Sequence, residues 1–183
     1  MADDDAATET AEQLPEDESS QAVEVEQAYG VPVTISYDQR VLHSTRDELI
    51  ATVEALRADG FEQLLDVMGV DYLGYTPSRQ LPTTVEAQRF EVVYLLISLS
   101  KRERIRIRVQ VPSEDPVVPS LFEQYPGAEA PEREVFDMYG VSFAEHPDMC
   151  RILMPEDWVG HPLRKDYEIG RIPVQFKDAP ARH

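Results

Sequence analysis

From Val31 to Val41, Val31, Val33, Ile35 and Tyr37 alternate with smaller or polar residues at period two, which predicts a half-buried strand. The period then changes. Leu49, Ile50, Val53 and Leu56 recur at helical spacing, Thr45 and Glu48 stand three apart as a capping box, and Gly60 suits the C-terminal cap. Phe61 to Leu73 reads as a short helix or turn running into a strand at Val70–Leu73, and residues 74 to 87, with Pro77 and Pro82, read as a loop. Phe90 to Leu99 is an unbroken run of strand formers, expected to be buried on both faces at its centre. After a turn at Ser100–Glu103 the alternation is strict. Arg104, Arg106 and Arg108 fall on one face and Ile105, Ile107, Val109 and Val111 on the other, which predicts a hairpin with one wet face.

Pro112, Pro116 and Pro119 end the sheet and lead to a short helix around Ser120–Gln124. A second helix carries Val135, Met138 and Tyr139 on one face and stops at Gly140. Beyond it, Pro147, Pro155 and Pro162 exclude a long helix and predict a path of short extended pieces, a ribbon suited to lie along another surface. In that ribbon Ile152, Leu153, Met154, Trp158 and Leu163 call for burial. The fold class expected is α+β: one domain with a mostly antiparallel sheet and helices packed on one face. Residues 1–30 form an acidic tail, disordered unless bound, 31–140 the α+β domain, and 141–183 an extended Pro-rich docking ribbon and tail.

Charge sharpens this division. The net charge is −18, and residues 1–30 hold ten acidic side chains and no basic one. That balance argues against nucleic acid and against direct contact with an anionic membrane, both of which attract clustered Lys and Arg. No apolar run approaches the roughly 20 residues of a membrane helix, so membrane contact is expected only through a partner. The N-terminus lacks the basic start and apolar core of a secretion signal. A single cysteine excludes an intrachain disulfide.

Candidate chemistry is sparse. No Gly-x-Gly-x-x-Gly follows a strand, and one cysteine is too few for an iron–sulfur cluster, so no cofactor is assigned to this chain. His146, Asp148, Cys150 and His161 lack metal-site spacing, and each histidine precedes a proline, as turn residues do when their imidazoles bond locally. Cys150 near His146 lacks the electropositive pocket of a nucleophile. Glu132, Glu134 and Asp137 are not spaced as one convergent acid/base pair; Glu132 and Glu134 suit the positive end of a helix, with Arg133 pairing across an interface. Two readings of the Arg104, Arg106 and Arg108 stripe stay open: a surface for a carboxylate-bearing neighbour, or a solvated sheet face. No catalytic or metal-ligating residue is assigned.

The stretch Glu132-Arg133-Glu134, Asp137-Met138-Tyr139, His146-Pro147-Asp148, Arg151 to Trp158 and Gly160 to Tyr167 resembles the signature of a respiratory family. That family is the 30-kDa subunit of proton-pumping NADH:quinone oxidoreductase (complex I). Arg89–Leu95 and Val70–Leu73 extend the resemblance weakly, so that it covers residues 45 to 167. Three positions depart from the family's habit: Cys150, Ala130-Pro131 before the Glu-Arg-Glu, and Glu168 after Asp-Tyr.

The resemblance implies a non-catalytic peripheral-arm component, peripheral at the cytoplasmic face of a bacterial cell membrane. FMN and iron–sulfur clusters would lie in partner subunits, and the partners would be the quinone-site (49-kDa type) subunit and its cluster-bearing neighbours. By analogy the interface would comprise Glu132, Arg133, Glu134, Asp137, Tyr139, His146, Asp148, Arg151, Trp158, His161, Arg164, Lys165, Asp166 and Tyr167. Cutting after Gly140 is then expected to leave a folded domain that no longer joins the complex. The alternatives are the equivalent subunit of a membrane-bound hydrogenase or another quinone-linked oxidoreductase, and a free-standing acidic adaptor.

Overall fold

In a computed structural model, the structure describes residues 26–168. The acidic stretch before Glu26 and the residues after Glu168 lie outside the described part. Six strands form one sheet in the order β1-β2-β3-β6-β5-β4. These are β1 (Gln27–Ala28), β2 (Val31–Ser36), β3 (Gln39–Ser44), β4 (Gln63–Asp71), β5 (Phe90–Ser98) and β6 (Glu103–Val111). All pairings are antiparallel except β3 with β6. Helix α1 (Leu49–Ala58) carries the chain from β3 to the far edge at β4, and α2 (Glu129–Tyr139) follows the sheet.

One core holds these elements together. Leu49, Val53 and Leu56 of α1 and Val135 of α2 are buried with Leu42, Val92, Tyr94, Leu96, Ile105, Ile107 and Val109 of the sheet. The helices therefore cover one face, and the alternation of β6 is realised as read, with its four aliphatic residues fully buried. The capping box also forms: Glu48 N donates to Thr45 Oγ1 at 3.2 Å and Thr45 N to Glu48 Oε2 at 3.3 Å.

Four local expectations need correction. The alternating run from Val31 is two strands, β2 and β3, joined by a two-residue turn in which Tyr37 and Asp38 both take positive φ, 52° and 59°. That is the backbone twist of a tight hairpin, achieved without the Asn-Gly or Asp-Gly pair that announces one. Phe61–Leu73 contains no helix. β4 runs through it, and a bulge between Leu64 and Asp66 shifts the alternation so that its apolar residues imitate helical spacing. The segment at Ser120–Gln124 is only a turn, closed by Tyr125 N to Leu121 O at 2.7 Å. A pair of short parallel strands, β7 (Val117–Pro119) and β8 (Ser142–Ala144), flanks α2 where the sequence pattern signals none. Val141 and Phe143 are buried in the core, so the folded body extends past Gly140.

The opposite face of the sheet is partly open: Val93, Leu95 and Ile97 of β5 are half-buried there instead of sealed. Here two of the three stripe arginines, Arg106 and Arg108, find partners within the chain, while Arg104 is exposed. Arg108 grips buried Glu91 with Nε on Oε1 and Nη2 on Oε2, both at 2.8 Å. Arg106 donates to Ser36 O at 2.9 Å.

His43 lies on the same face, nearly inaccessible, and shares a 2.8 Å hydrogen bond with Thr34 Oγ1. Burial, reinforced by the Arg108 charge, pushes its pKa down to about 4. Its unfolded value is about 6.5. Between these two values the unfolded chain holds the extra proton, so the stability gained from a neutral His43 is complete above pH 6.5 and is lost as pH falls toward 4. Urea titrations of the wild type and His43→Gln should therefore diverge in that window, the wild type losing up to about 1.4 kcal/mol per pH unit more than the variant. Parallel curves would contradict this assignment.

Candidate functional site

The ribbon after β8 is folded back onto α2, and the charged residues of the signature hold it there. Asp137 is the hub. It sits in the last turn of α2 with its carboxylate fully buried, and Oδ2 accepts the backbone N–H groups of Ile152, Leu153 and Met154 at 3.2, 2.8 and 2.8 Å. Arg151 pairs with Oδ1 and reaches Gly160 O at 2.9 Å. Burial pushes the Asp137 carboxyl up, but the three N–H donors and Arg151 outweigh it and hold it below the usual carboxylate range.

The other signature residues make similar contacts. Glu132 is completely buried; it accepts from Ser120 Oγ at 2.6 Å and Leu121 N at 2.7 Å, and burial outweighs these donors to raise its pKa. It thus ties α2 to the preceding turn as well as standing in the first turn of the helix. Arg133 spends its guanidinium inside the chain, donating to the carbonyls of Cys150 at 3.2 Å and Arg151 at 3.1 Å. His161 Nδ1 lies 3.0 Å from Asp137 O, and since a carbonyl can only accept, Nδ1 carries the proton. His146 uses Nε2 on Glu129 O at 3.0 Å and accepts Asp148 N at Nδ1. Both imidazoles bond to backbone, but only the Asp148 N–H on His146 is the local bond expected; Glu129 O and Asp137 O belong to α2, far along the chain. Cys150 donates toward Asp148, which with burial pushes the thiol pKa up, away from nucleophile chemistry.

The end of the ribbon is anchored in part by residues outside the signature. Lys165 N donates to buried Asp71 at 2.9 Å, and Arg89 bridges Asp71 and Asp166 at 3.0 and 2.9 Å. Arg164 donates to Tyr139 O at 2.6 Å and lies over the Phe90 ring. Asp71, Arg89 and Phe90 all fall in the two upstream segments that share the family resemblance, which is the signal the sequence holds for them. Three aromatic rings approach glycine backbone closely: Tyr139 on Gly69, His161 on Gly140 and Tyr167 on Gly160. Trp158 is half-buried, and Glu134 points outward.

Gly140 is doubly required. It caps α2 at φ 72°, and a Cβ there would stand 2.6 Å from His161 Nε2. Gly140→Ala should lower the thermal midpoint, with a cost of about 1–3 kcal/mol from backbone strain before the clash is counted. An unchanged midpoint would contradict the packing of His161 on this cap.

Among the described residues, no group of three or more His, Cys, Asp or Glu side chains is placed to hold a metal ion, and no helix is long and apolar enough to cross a membrane. What the arrangement does chemically is fix an irregular backbone. The carboxylates of Asp137 and Asp71 satisfy N–H groups that no helix or sheet provides for.

Comparison with known proteins places this architecture. Residues 42–172 match the family described as respiratory-chain NADH dehydrogenase, 30 Kd subunit. The C-type subunit of NADH-quinone oxidoreductase from Saccharopolyspora erythraea is 43% identical over 150 residues, 80% of this chain and 56% of that protein. Its counterpart from Roseiflexus castenholzii is 45% identical over 138 residues, 74% of this chain and 73% of that protein. Among solved structures, the trypsin-resistant fragment (1-134) of Nqo5 superposes with a TM-score of 0.57 at 34% identity, covering 65% of this chain and 89% of the fragment. The chain spans little more than half the length of the Saccharopolyspora relative. With the family match extending over most of the sequence and over the whole Asp137-centred ribbon, the chain belongs to the 30-kDa subunit family of respiratory-chain NADH dehydrogenase, that is, of NADH-quinone oxidoreductase (complex I).

Proposed function

We propose that the chain is a non-catalytic peripheral-arm subunit of a proton-pumping NADH:quinone oxidoreductase, and that its ribbon is the docking element. The observation that carries this reading is the division of labour along the ribbon. Its backbone is held inward, the N–H groups of Leu153 and Met154 on Asp137 and that of Lys165 on Asp71, with Arg151 and Arg164 reaching α2, while its aliphatic residues turn outward. Ile152 is 40% exposed, Leu153 59%, Leu163 49% and Val159 87%. A backbone fixed by buried carboxylates that leaves its large apolar side chains in solvent is pre-organised to meet another apolar surface. The partner is the quinone-site subunit of the 49-kDa type, with cluster-bearing neighbours beside it. FMN and the iron–sulfur clusters belong to those chains, and this chain reaches the membrane's cytoplasmic face through them.

Truncation after Gly140 is a poor test, because it removes buried Val141 and Phe143 and strips Asp137 of its donors. The triple substitution Ile152→Ser, Leu153→Ser, Leu163→Ser alters only exposed groups. Full burial of such a side chain is worth roughly 1.5–3 kcal/mol, and about half of that remains to be gained at each position, so the variant should lose at least about thirtyfold in affinity for the complex while the free chain stays folded. Co-purification at wild-type level would sink the docking role.

A further inference from the structure

β4 ends the six-stranded sheet, and its outer edge pairs with no strand among the described residues. A groove of about 370 Å³ runs beside it, lined by the five consecutive residues Asp66–Val70, by Met138 and Tyr139 of α2, and by Leu163 of the ribbon. Successive strand residues point to opposite faces, so a groove touching all five follows the edge and not a face. Its apolar surface includes Met68 and Leu163, 38% and 49% exposed, with exposed Leu65 just beyond. Its rim is acidic: Asp66 and Glu134 are both exposed, and neither has an ion-pair partner among the described residues.

We propose that this edge receives an added β-strand from another subunit of the assembly. The segment is extended, carries apolar side chains at alternate positions, and presents a lysine or arginine to Asp66 and Glu134. The inference rests on the reading that the chain works inside a larger complex. Main-chain hydrogen bonds to the unpaired edge supply affinity, and the groove and its acidic rim supply selection. A second copy of this chain is the wrong occupant, because two β4 edges would oppose Asp66 and Glu134 to their own equivalents. Leu163 belongs both to the groove and to the outward apolar row of the ribbon, so the two surfaces are continuous.

The test uses the full chain assembled in its host with the photoreactive residue p-benzoylphenylalanine in place of Met68. Irradiation is expected to link it to a peptide of a different subunit with alternating apolar residues and at least one Lys or Arg. The double variant Asp66→Asn, Glu134→Gln, which keeps an acceptor for Val67 N and removes both charges, should reduce incorporation at least tenfold with the free chain still folded, whereas Glu54→Lys on the exposed side of α1 should incorporate normally. A cross-link to this chain itself or to a second copy, the absence of any cross-link, or normal incorporation of the double variant would overturn the proposal. If the double variant incorporates normally while the serine triple on the ribbon does not, this inference alone fails. If the wild-type chain enters no large assembly, the proposed function fails first.

Discussion

Asp137→Ala should destabilise the protein by about 3–5 kcal/mol, the range for leaving a buried ion pair with one member missing. The loss is larger than that of a surface salt bridge because Asp137 also accepts three backbone N–H groups from consecutive residues, Ile152 to Met154. Those groups lie in an irregular segment that offers no helical or sheet partner, so each remains unsatisfied when the carboxylate is gone. The damage has a location. Limited proteolysis of the variant should cut between Arg151 and Lys165 well before the sheet is attacked, since the ribbon depends on this anchor while the sheet core does not. The wild type also acquires an acid branch from the same group. A carboxyl held below its unfolded pKa of about 3.9 contributes stability above that value and loses it as pH falls through the depressed one. Asp137→Ala should lack that branch. Equal stability of variant and wild type in urea at neutral pH would contradict the hub role.

The second large effect lies on the open face of the sheet. Glu91→Ala removes the acceptor for Arg108, and for the side chains of Gln110 and Tyr72, at a carboxylate only 2% exposed. The expected cost is again about 3–5 kcal/mol, because Arg108 is left charged and mostly buried with no counter-charge, only the Gln80 carbonyl. Removing both partners should be far milder. The double replacement Glu91→Leu, Arg108→Leu eliminates the stranded charge, and a double-mutant cycle read by chemical unfolding should show strong coupling between the two positions. Additive losses would mean that the pair is an incidental contact.

The sequence is most informative where one rule acts alone. The alternation in β6, the Thr45–Glu48 box and the Gly140 cap each follow from local chemistry, and each stands in the structure as read. Two kinds of feature escape such rules. Register changes are one: the positive φ values at Tyr37 and Asp38 and the bulge after Leu64 break a period without a glycine or proline to mark them. Long-range pairing is the other. That Asp71 receives Lys165 N, or that Arg108 finds its carboxylate on the neighbouring strand, depends on which strands become neighbours.

The signature residues are legible as a group, but their direction is not. Composition marks the ribbon as surface-seeking, yet its backbone and the side chains of Arg151, Arg164 and Asp166 turn back onto its own domain. Of the side chains read as seeking burial, Ile152, Leu153 and Leu163 are left outside, while Met154 and Trp158 are half-buried. The reversal has a physical basis. Extended backbone cannot satisfy its own N–H groups, so buried carboxylates are needed to hold it, and the apolar side chains are then free to face a neighbour.

The most direct test of the central claim is a native gel of gently solubilised host membranes, probed for this chain beside an in-gel stain for NADH oxidation. The account predicts that the chain migrates in a large band that oxidises NADH, and that the ribbon variant with serine at 152, 153 and 163 is missing from it. A chain that migrates alone, or in a large band inert toward NADH, would contradict it.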